Sequence, residues 1–339
     1  MRWVPCVVRS SSPAGEVVGV GHRLVDEYLV FMRSRARPNT VLAAAFDLKV
    51  FFTVVGKPPV RVSSRDVLAF IRSQQTGSGN VVRIDGSAGL ASSTIRRRLS
   101  SVSGFYAYLV VRDDTAVRSN PVPRGLLVRR ERDRRKHAPL VRAVKKLPRV
   151  LAPDEIDRMF SALRTERDRA MVEAMVLGGL RRCEVLGLDL ADVRLGERRV
   201  FVADGNGGRQ RLIPMSPRFF ATLGRYLETE RPKGIVTNRV FVGLKGQRRG
   251  QPLSAYGLDQ IIESARDRAG LAHATCHELR HTCFTRLREA GMSLEALQAQ
   301  AGHASIETTR VYLHLADDWL ANEYRKAAEA IDAQMGASS

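Results

Sequence analysis

One stretch without helical pattern divides two stretches that have it, and this break limits the fold more than any short motif. Between Arg124 and Arg149 the chain carries eleven Arg or Lys side chains against two acids, with no apolar period. A charge run of this kind is most often a solvated segment. It reads as a basic linker, and its place between two patterned regions suits contact with a nucleic-acid backbone. A chain of 339 residues has room for two domains of ordinary size around it.

Before the break, apolar residues recur at three- and four-residue intervals. "VDEYLVFMRSR", "NTVLAAAFDLKVFFTVV" and "SSRDVLAFIRSQ" each fit a helix, the last opening on serine followed by an acid. In "SSTIRRRLSSVSGFYAYLVV", Ile95, Leu99, Val102, Phe105 and Leu109 form one stripe, with Arg96 and Arg97 off it. After the break, "APDEIDRMFSAL" predicts a capped helix. "ERDRAMVEAMVLGGLRRCEVLGLDLADV" predicts a helix, a Gly-Gly break and a second helix. "RRVFVADGNGGRQRLIPM" predicts a β-hairpin, because strand residues flank Asp204-Gly205 and Asn206-Gly207. The expected fold is mainly α with a small β-hairpin. Its expected parts are a loose tail at residues 1–20, a helical domain at 21–120, the basic linker at 121–146 and a second domain at 147–339.

The net charge is +20, and 47 of the 55 cationic side chains are arginine. A genome rich in G and C biases composition that way. The functional reading is that the planar guanidinium fork matches phosphate, so the expected partner is nucleic acid. No run approaches the ~20 apolar residues of a membrane span, the nearest being Ala170–Leu180 with Glu173 inside it. No signal peptide is evident before Ser10, and the four cysteines form no C-x-x-C pair. The expectation is a cytoplasmic protein with reduced thiols.

"CHELRHTCFTRL" contains His277-Glu278-Leu279-Arg280-His281, which matches the H-E-x-x-H string of zinc proteases. The extended zinc pattern needs Gly and a third His where Phe284 and Arg288 stand, and the fixed charge of Arg280 opposes a dication. The expectation is therefore no metal. His277 and Arg280, three residues apart, leave one face of a helix together and suit an anionic oxygen such as a phosphate.

Three segments in order resemble the boxes of the tyrosine recombinase, or phage integrase, family, Xer-like members included. "GGLRRCEVLGLDLADV" resembles the first box, with Arg181 as catalytic arginine and Glu184 as supporting acid. "HELRH" resembles the second, with His277 and Arg280. "AGHASIETTRVYLHL" resembles the third, with His303 and, nine residues later, the nucleophile Tyr312. The first helical region, followed by "NP", is similar to the family's core-binding domain, so that the resemblance spans roughly residues 21–325. It implies a SAM-like helical core-binding domain followed by an α+β catalytic domain with a C-terminal helix.

The chemistry implied by the resemblance is cleavage and rejoining of DNA through a 3′-phosphotyrosine, with neither metal nor nucleotide cofactor. Two arginines and His303 would neutralise the phosphorane, and His277 would take the phenol proton. The implied partners are double-stranded DNA, further copies forming a tetramer on two sites, and accessory proteins. Arg96, Arg97, Arg129, Arg130, Arg134 and Arg135 are candidate DNA contacts. Each box residue also has an ordinary reading taken alone: Arg181 a surface cation, Glu184 a helix-start acid, His303 a cap, Tyr312 a core aromatic.

The family's hairpin lysine, which protonates the departing 5′-oxygen, falls here on Asn206, and no lysine occurs between Lys146 and Lys233. Arg209 in the same hairpin is the candidate substitute. Two alternatives stay open: a catalytically weak or inactive DNA-binding relative, and a type IB-like topoisomerase.

Overall fold

The computed structural model describes residues 3–12, 15–76, 89–112, 114–123, 126–128, 136–138, 140–142, 149–203, 210–303, 305–309 and 329. The chain divides into two compact units, Met1–Lys145 and Lys146–Ser339.

The first unit begins with an antiparallel pair, β1 (Val8–Ser12) and β2 (Gly15–Gly19). Four helices follow: α1 (Arg23–Arg33), α2 (Pro38–Val55), α3 (Ser64–Thr76) and α4 (Ser92–Val111). Within the expected tail, Trp3, Val7, Val18 and Val20 belong to the first unit's core. Val18 and Val20 are buried, and the Trp3 ring lies 5.1 Å from Phe52 while its indole N–H donates to the Val20 carbonyl at 3.2 Å. Val18 on β2 and Val20 just after it stand two residues apart, the spacing that puts both on one face of an extended segment.

The expected stripe of α4 is buried in full, against Phe51, Phe52 and Phe70. Proline at the first position of α2 and Gly56 in the left-handed conformation after its end (φ 64°) set its limits. By length and composition α2 is apolar enough to cross a membrane, which the sequence reading overlooked. Here its apolar face lies in the core, and its buried Asp47 accepts from Arg97 at 2.6 Å and from Ser101 at 2.8 Å. The basic segment has structure of its own among its described residues. It contains a short antiparallel pair, β3 (Leu126–Val128) and β4 (Lys136–Ala138), and Val122 and Val141 beside it are buried in the first core. The candidate DNA contacts Arg129, Arg130, Arg134 and Arg135 lie outside the described residues.

The second unit contains α5 (Pro153–Ala162), α6 (Glu166–Val176) and α7 (Arg182–Gly187), then a three-stranded antiparallel sheet. The sheet is β5 (Val193–Arg194), β6 (Arg199–Val202) and β7 (Arg211–Pro214), in that order. The expected hairpin is β6–β7, with Val200 opposite Ile213; β5 was not foreseen. Then come α8 (Pro217–Arg225), α9 (Ala255–Arg268), α10 (Cys276–Glu289), α11 (Leu294–Ala301) and the short α12 (Ile306–Thr309). Helix α6 is buried along most of its length and packs against α8 and α10, so it serves as the spine of this unit. Thr165 caps its start, and the Glu230 carboxylate accepts from the Glu166 and Arg167 amides at 2.9 and 3.0 Å.

Replacing Asp47 by alanine should strip Arg97 and Ser101 of their shared acceptor and destabilise the protein by roughly 2 kcal/mol. Urea unfolding monitored by circular dichroism checks this; an unchanged midpoint would show that the α2–α4 bond contributes nothing.

Candidate active site

The site starts where α6 ends. Gly178 and Gly179 break the helix, and Gly179 adopts φ +67°, a conformation that disfavours a side chain. A Cβ there would also stand 2.5 Å from the Phe284 ring of α10. The chain therefore turns flush against α10 and enters α7 at Arg181. Three residues on, Glu184 reaches back to the Arg181 amide at 2.9 Å, as an acid at that helix position does.

Glu184 is the hub of the site. Its side chain is fully buried, and Arg181 Nη1 donates to Oε1 at 2.8 Å. Arg211 of β7 grips the same carboxylate as a fork, Nη1 to Oε1 at 3.0 Å and Nη2 to Oε2 at 2.9 Å. Arg280 Nη1 lies 3.7 Å from Oε2. Burial alone would push this carboxyl up, but the Arg211 fork, the Arg181 amide and the charges of Arg211 and Arg181 hold it down at about 2.

Arg280 is almost wholly buried on α10. It donates to the Gly179 carbonyl and, at 2.7 Å, to the Ala301 carbonyl, and its guanidinium lies 4.8 Å from the Phe284 ring centre. Its Nη2 is 3.5 Å from His303 Nε2. His303 follows Gly302, which ends α11 in the left-handed conformation, and its Nδ1 pairs with Thr309 Oγ1 at 3.0 Å. His303 is pushed down to about 4, first by burial and then by Arg280, Arg181, His281 and Arg211.

One turn apart on α10, His277 and His281 meet with Nε2 atoms 2.8 Å apart, so one ring donates to the other. Partial burial and the charges of Arg280 and Arg181 lower His277, while His281 falls to about 4 through burial, His277 and Arg280. Both shifts favour the neutral imidazole, the form that keeps a lone pair for accepting a proton. Among the described residues no group of three His, Cys, Asp or Glu side chains converges as a metal site. The arrangement is a buried acid with three guanidinium groups and neutral imidazoles beside it, suited to an anion with charge in excess of one.

The comparisons with known proteins agree on one family. Residues 149–318 match the model described as the phage integrase family. The tyrosine recombinase XerC of Halalkalibacterium halodurans is 30% identical over 313 residues, covering 89% of this chain and 95% of that protein. The chain belongs to the phage integrase family of tyrosine recombinases. XerC of Xylella fastidiosa is 32% identical over 311 residues, covering 90% of this chain and 96% of its own. Two solved structures share the fold. The Tn1549 transposon integrase in complex with transposon right end DNA has a TM-score of 0.67 at 20% identity, covering 89% of this chain and 98% of that one. XerH bound to a palindromic difH substrate has a TM-score of 0.65 at 20% identity, covering 88% and 82%. As a tyrosine recombinase the protein is a DNA strand transferase.

Within this recombinase the structure brings together Arg181, Glu184, His277, Arg280 and His303 from the sequence reading. Tyr312, Asn206 and Arg209 lie outside the described residues. In the first unit Arg96 is exposed, whereas Arg97 is half-exposed and bound to Asp47. Two neighbours of the site were not foreseen. Arg211 stands 27 residues from its acid, so no local spacing announces it. His281 was part of the H-E-x-x-H string, and its i, i+4 spacing from His277 was the available signal.

The buried imidazoles predict a pH dependence of stability. A histidine held below its ordinary ~6.5 contributes stability that is complete above that pH. The contribution is lost as the pH falls from there towards about 4. The thermal midpoint of the tyrosine recombinase should therefore drop across this window. A His281→Gln, His303→Gln double variant should show a shallower slope in the same titration.

Proposed function

We propose that this tyrosine recombinase performs site-specific recombination by breaking and rejoining double-stranded DNA through a 3′-phosphotyrosine bond at Tyr312, without metal or nucleotide cofactor. One observation carries the reading: the buried Glu184 gathers Arg181 and Arg280 beside His303, in the chain order of the three boxes. The transposon right end DNA held by the Tn1549 integrase and the palindromic difH substrate bound by XerH support the choice of substrate.

In this mechanism the Tyr312 oxygen attacks the scissile phosphorus and the 5′-oxygen leaves. The phosphorane passes through with more than one negative charge on its non-bridging oxygens. Arg181 and Arg280 neutralise that charge, always protonated, and His303 donates a further hydrogen bond. A phenol with an ordinary pKa near ~10 needs a base, and His277, whose neutral form is favoured by burial and by the two arginines, takes its proton. One phosphate ester replaces another, so rejoining is the same step reversed by a 5′-hydroxyl and draws on no external energy source.

Asn206 cannot protonate the departing oxygen as a lysine would, and we assign that donation to Arg209. Arginine is the weaker acid, so cleavage is slow in the natural protein. This departure also favours a second reading, a DNA-binding relative with little catalytic activity. The division into a core-binding domain at 21–120, a linker at 121–146 and a catalytic domain at 147–339 belongs to the same proposal. So do a tetramer on two sites, accessory proteins and a cytoplasmic, DNA-associated location. Arg96, Arg97, Arg129, Arg130, Arg134 and Arg135 would contact phosphates, which makes binding fall steeply with salt.

On nicked duplex DNA bearing its target, the wild type should form a covalent complex that Tyr312→Phe abolishes while retaining binding in gel-shift assays. A complex that survives Tyr312→Phe would move the nucleophile elsewhere. Arg181→Lys and Arg280→Lys should each slow the reaction by about 100-fold, because lysine lacks the planar fork. Asn206→Lys should raise the single-turnover cleavage rate; an unchanged rate would show that the donor position is already filled.

A further inference from the structure

Arg211 is a side chain whose partners explain its place in the fold but not yet its service to the reaction. It sits on β7, close to the hairpin turn in sequence, and its side chain is 10% exposed. Nη1 and Nη2 are engaged by the two oxygens of Glu184, and Nε donates to the Gln300 carbonyl at 3.1 Å. All three nitrogens of the fork thus have protein acceptors, and the two Nη atoms meet the two Glu184 oxygens as a bidentate pair, which sets the edge of the fork against the acid.

The charges around Glu184 show what that occupation achieves. Arg181 and Arg280 with Glu184 alone would sum to one positive charge. With Arg211 included the sum is two. A phosphorane with more than one negative charge is matched by the second arrangement and not by the first. Without the Arg211 fork the carboxylate would also turn to the arginines of the clamp, drawing them towards itself and away from the DNA.

We propose that Arg211 is a positioning residue that neutralises Glu184, so that Arg181 and Arg280 keep their charge for the scissile phosphate. The proposal rests on the phosphoryl-transfer reading above and names the device that makes the clamp strongly cationic. The surrounding backbone is fitted to the fork. Gly302 adopts φ +62°, and a Cβ there would stand 3.0 Å from Arg211 Nη1, so the turn leading to His303 closes directly over the guanidinium. Gln300, whose carbonyl accepts from Arg211, donates its side-chain amide to the carbonyls of Gly178 at 3.1 Å and Pro214 at 3.3 Å. Arg211 is thereby the point at which β7, α7, the end of α11 and the glycine turn are held in common. A lysine would supply the charge but could not grip both oxygens and the carbonyl together.

The experiment compares Arg211→Gln with the wild type on two nicked duplexes of one sequence, the site recovered by trapping Tyr312-linked fragments of the DNA flanking its gene. One duplex carries the natural scissile phosphate and the other a methylphosphonate, whose non-bridging methyl group removes one negative charge. Each protein preparation is assayed on both, so the ratio of the two rates does not depend on the folded fraction. Arg211→Gln should lose about 100-fold on the phosphate and less than about 10-fold on the methylphosphonate. Adding Glu184→Gln to Arg211→Gln, which removes the charge that Arg211 balances, should recover at least about 10-fold on the phosphate.

Equal losses on the two duplexes, or a double variant no faster than Arg211→Gln, would overturn the proposal and leave the phosphotyrosine reading standing. A wild type that forms no Tyr312-linked complex on either duplex would remove the phosphotyrosine reading and this proposal with it.

Discussion

A carboxylate buried without solvent is tolerable only when cations and amides surround it, and at Glu184 that requirement organises the centre of the second unit. Satisfying it brings a helix start, a strand and α10 to one point. The four oxygen lone pairs of the acid are met by Arg181 and Arg211 in a pattern that leaves Arg280 near but not directly bonded. The cationic site is thus the by-product of burying one negative charge well. A helix-cap acid therefore lies at the centre of a cluster of guanidinium groups.

Arg280 shows a second form of the same coupling. Two of its nitrogens hold the carbonyls of Gly179 and Ala301, the end of one segment and the end of another. These are groups that a helix leaves unpaired when it stops. The guanidinium therefore closes two chain termini while it sits on the Phe284 ring, and its rotamer is set before any ligand arrives. Preorganisation of this kind lowers the cost of aligning donors with a charge that develops only during reaction.

The helical framework was legible because its signal is local: the stripe on α4 and the Gly-Gly break after α6 need only the sequence around them. The box residues were legible through type and spacing together, and the structure gathers Arg181, Glu184, His277, Arg280 and His303. What escaped notice depends on contacts between distant positions. Arg211 meets Glu184 and Gln300 across 27 and 89 residues, and nothing in its own neighbourhood marks it among 47 arginines. The first twenty residues looked like a tail because serine, proline and glycine interrupt their apolar residues. Trp3, Val18 and Val20 were enough to anchor the strand pair regardless. Asp47 broke the apolar run of α2 without weakening it, since its ion pair lies on α4 and only folding brings the two together.

Gly179 carries a lesson about tolerance to change. It offers no side chain at all, yet a single methyl group at that position would press on Phe284, the ring beneath Arg280. In a survey of every substitution along the chain, this position should rank with the arginines in severity. Severity of that kind measures the spacing between two segments of backbone, set by a hydrogen atom where other residues have carbon. An intolerant position in this protein is therefore not, by that fact, a chemical participant.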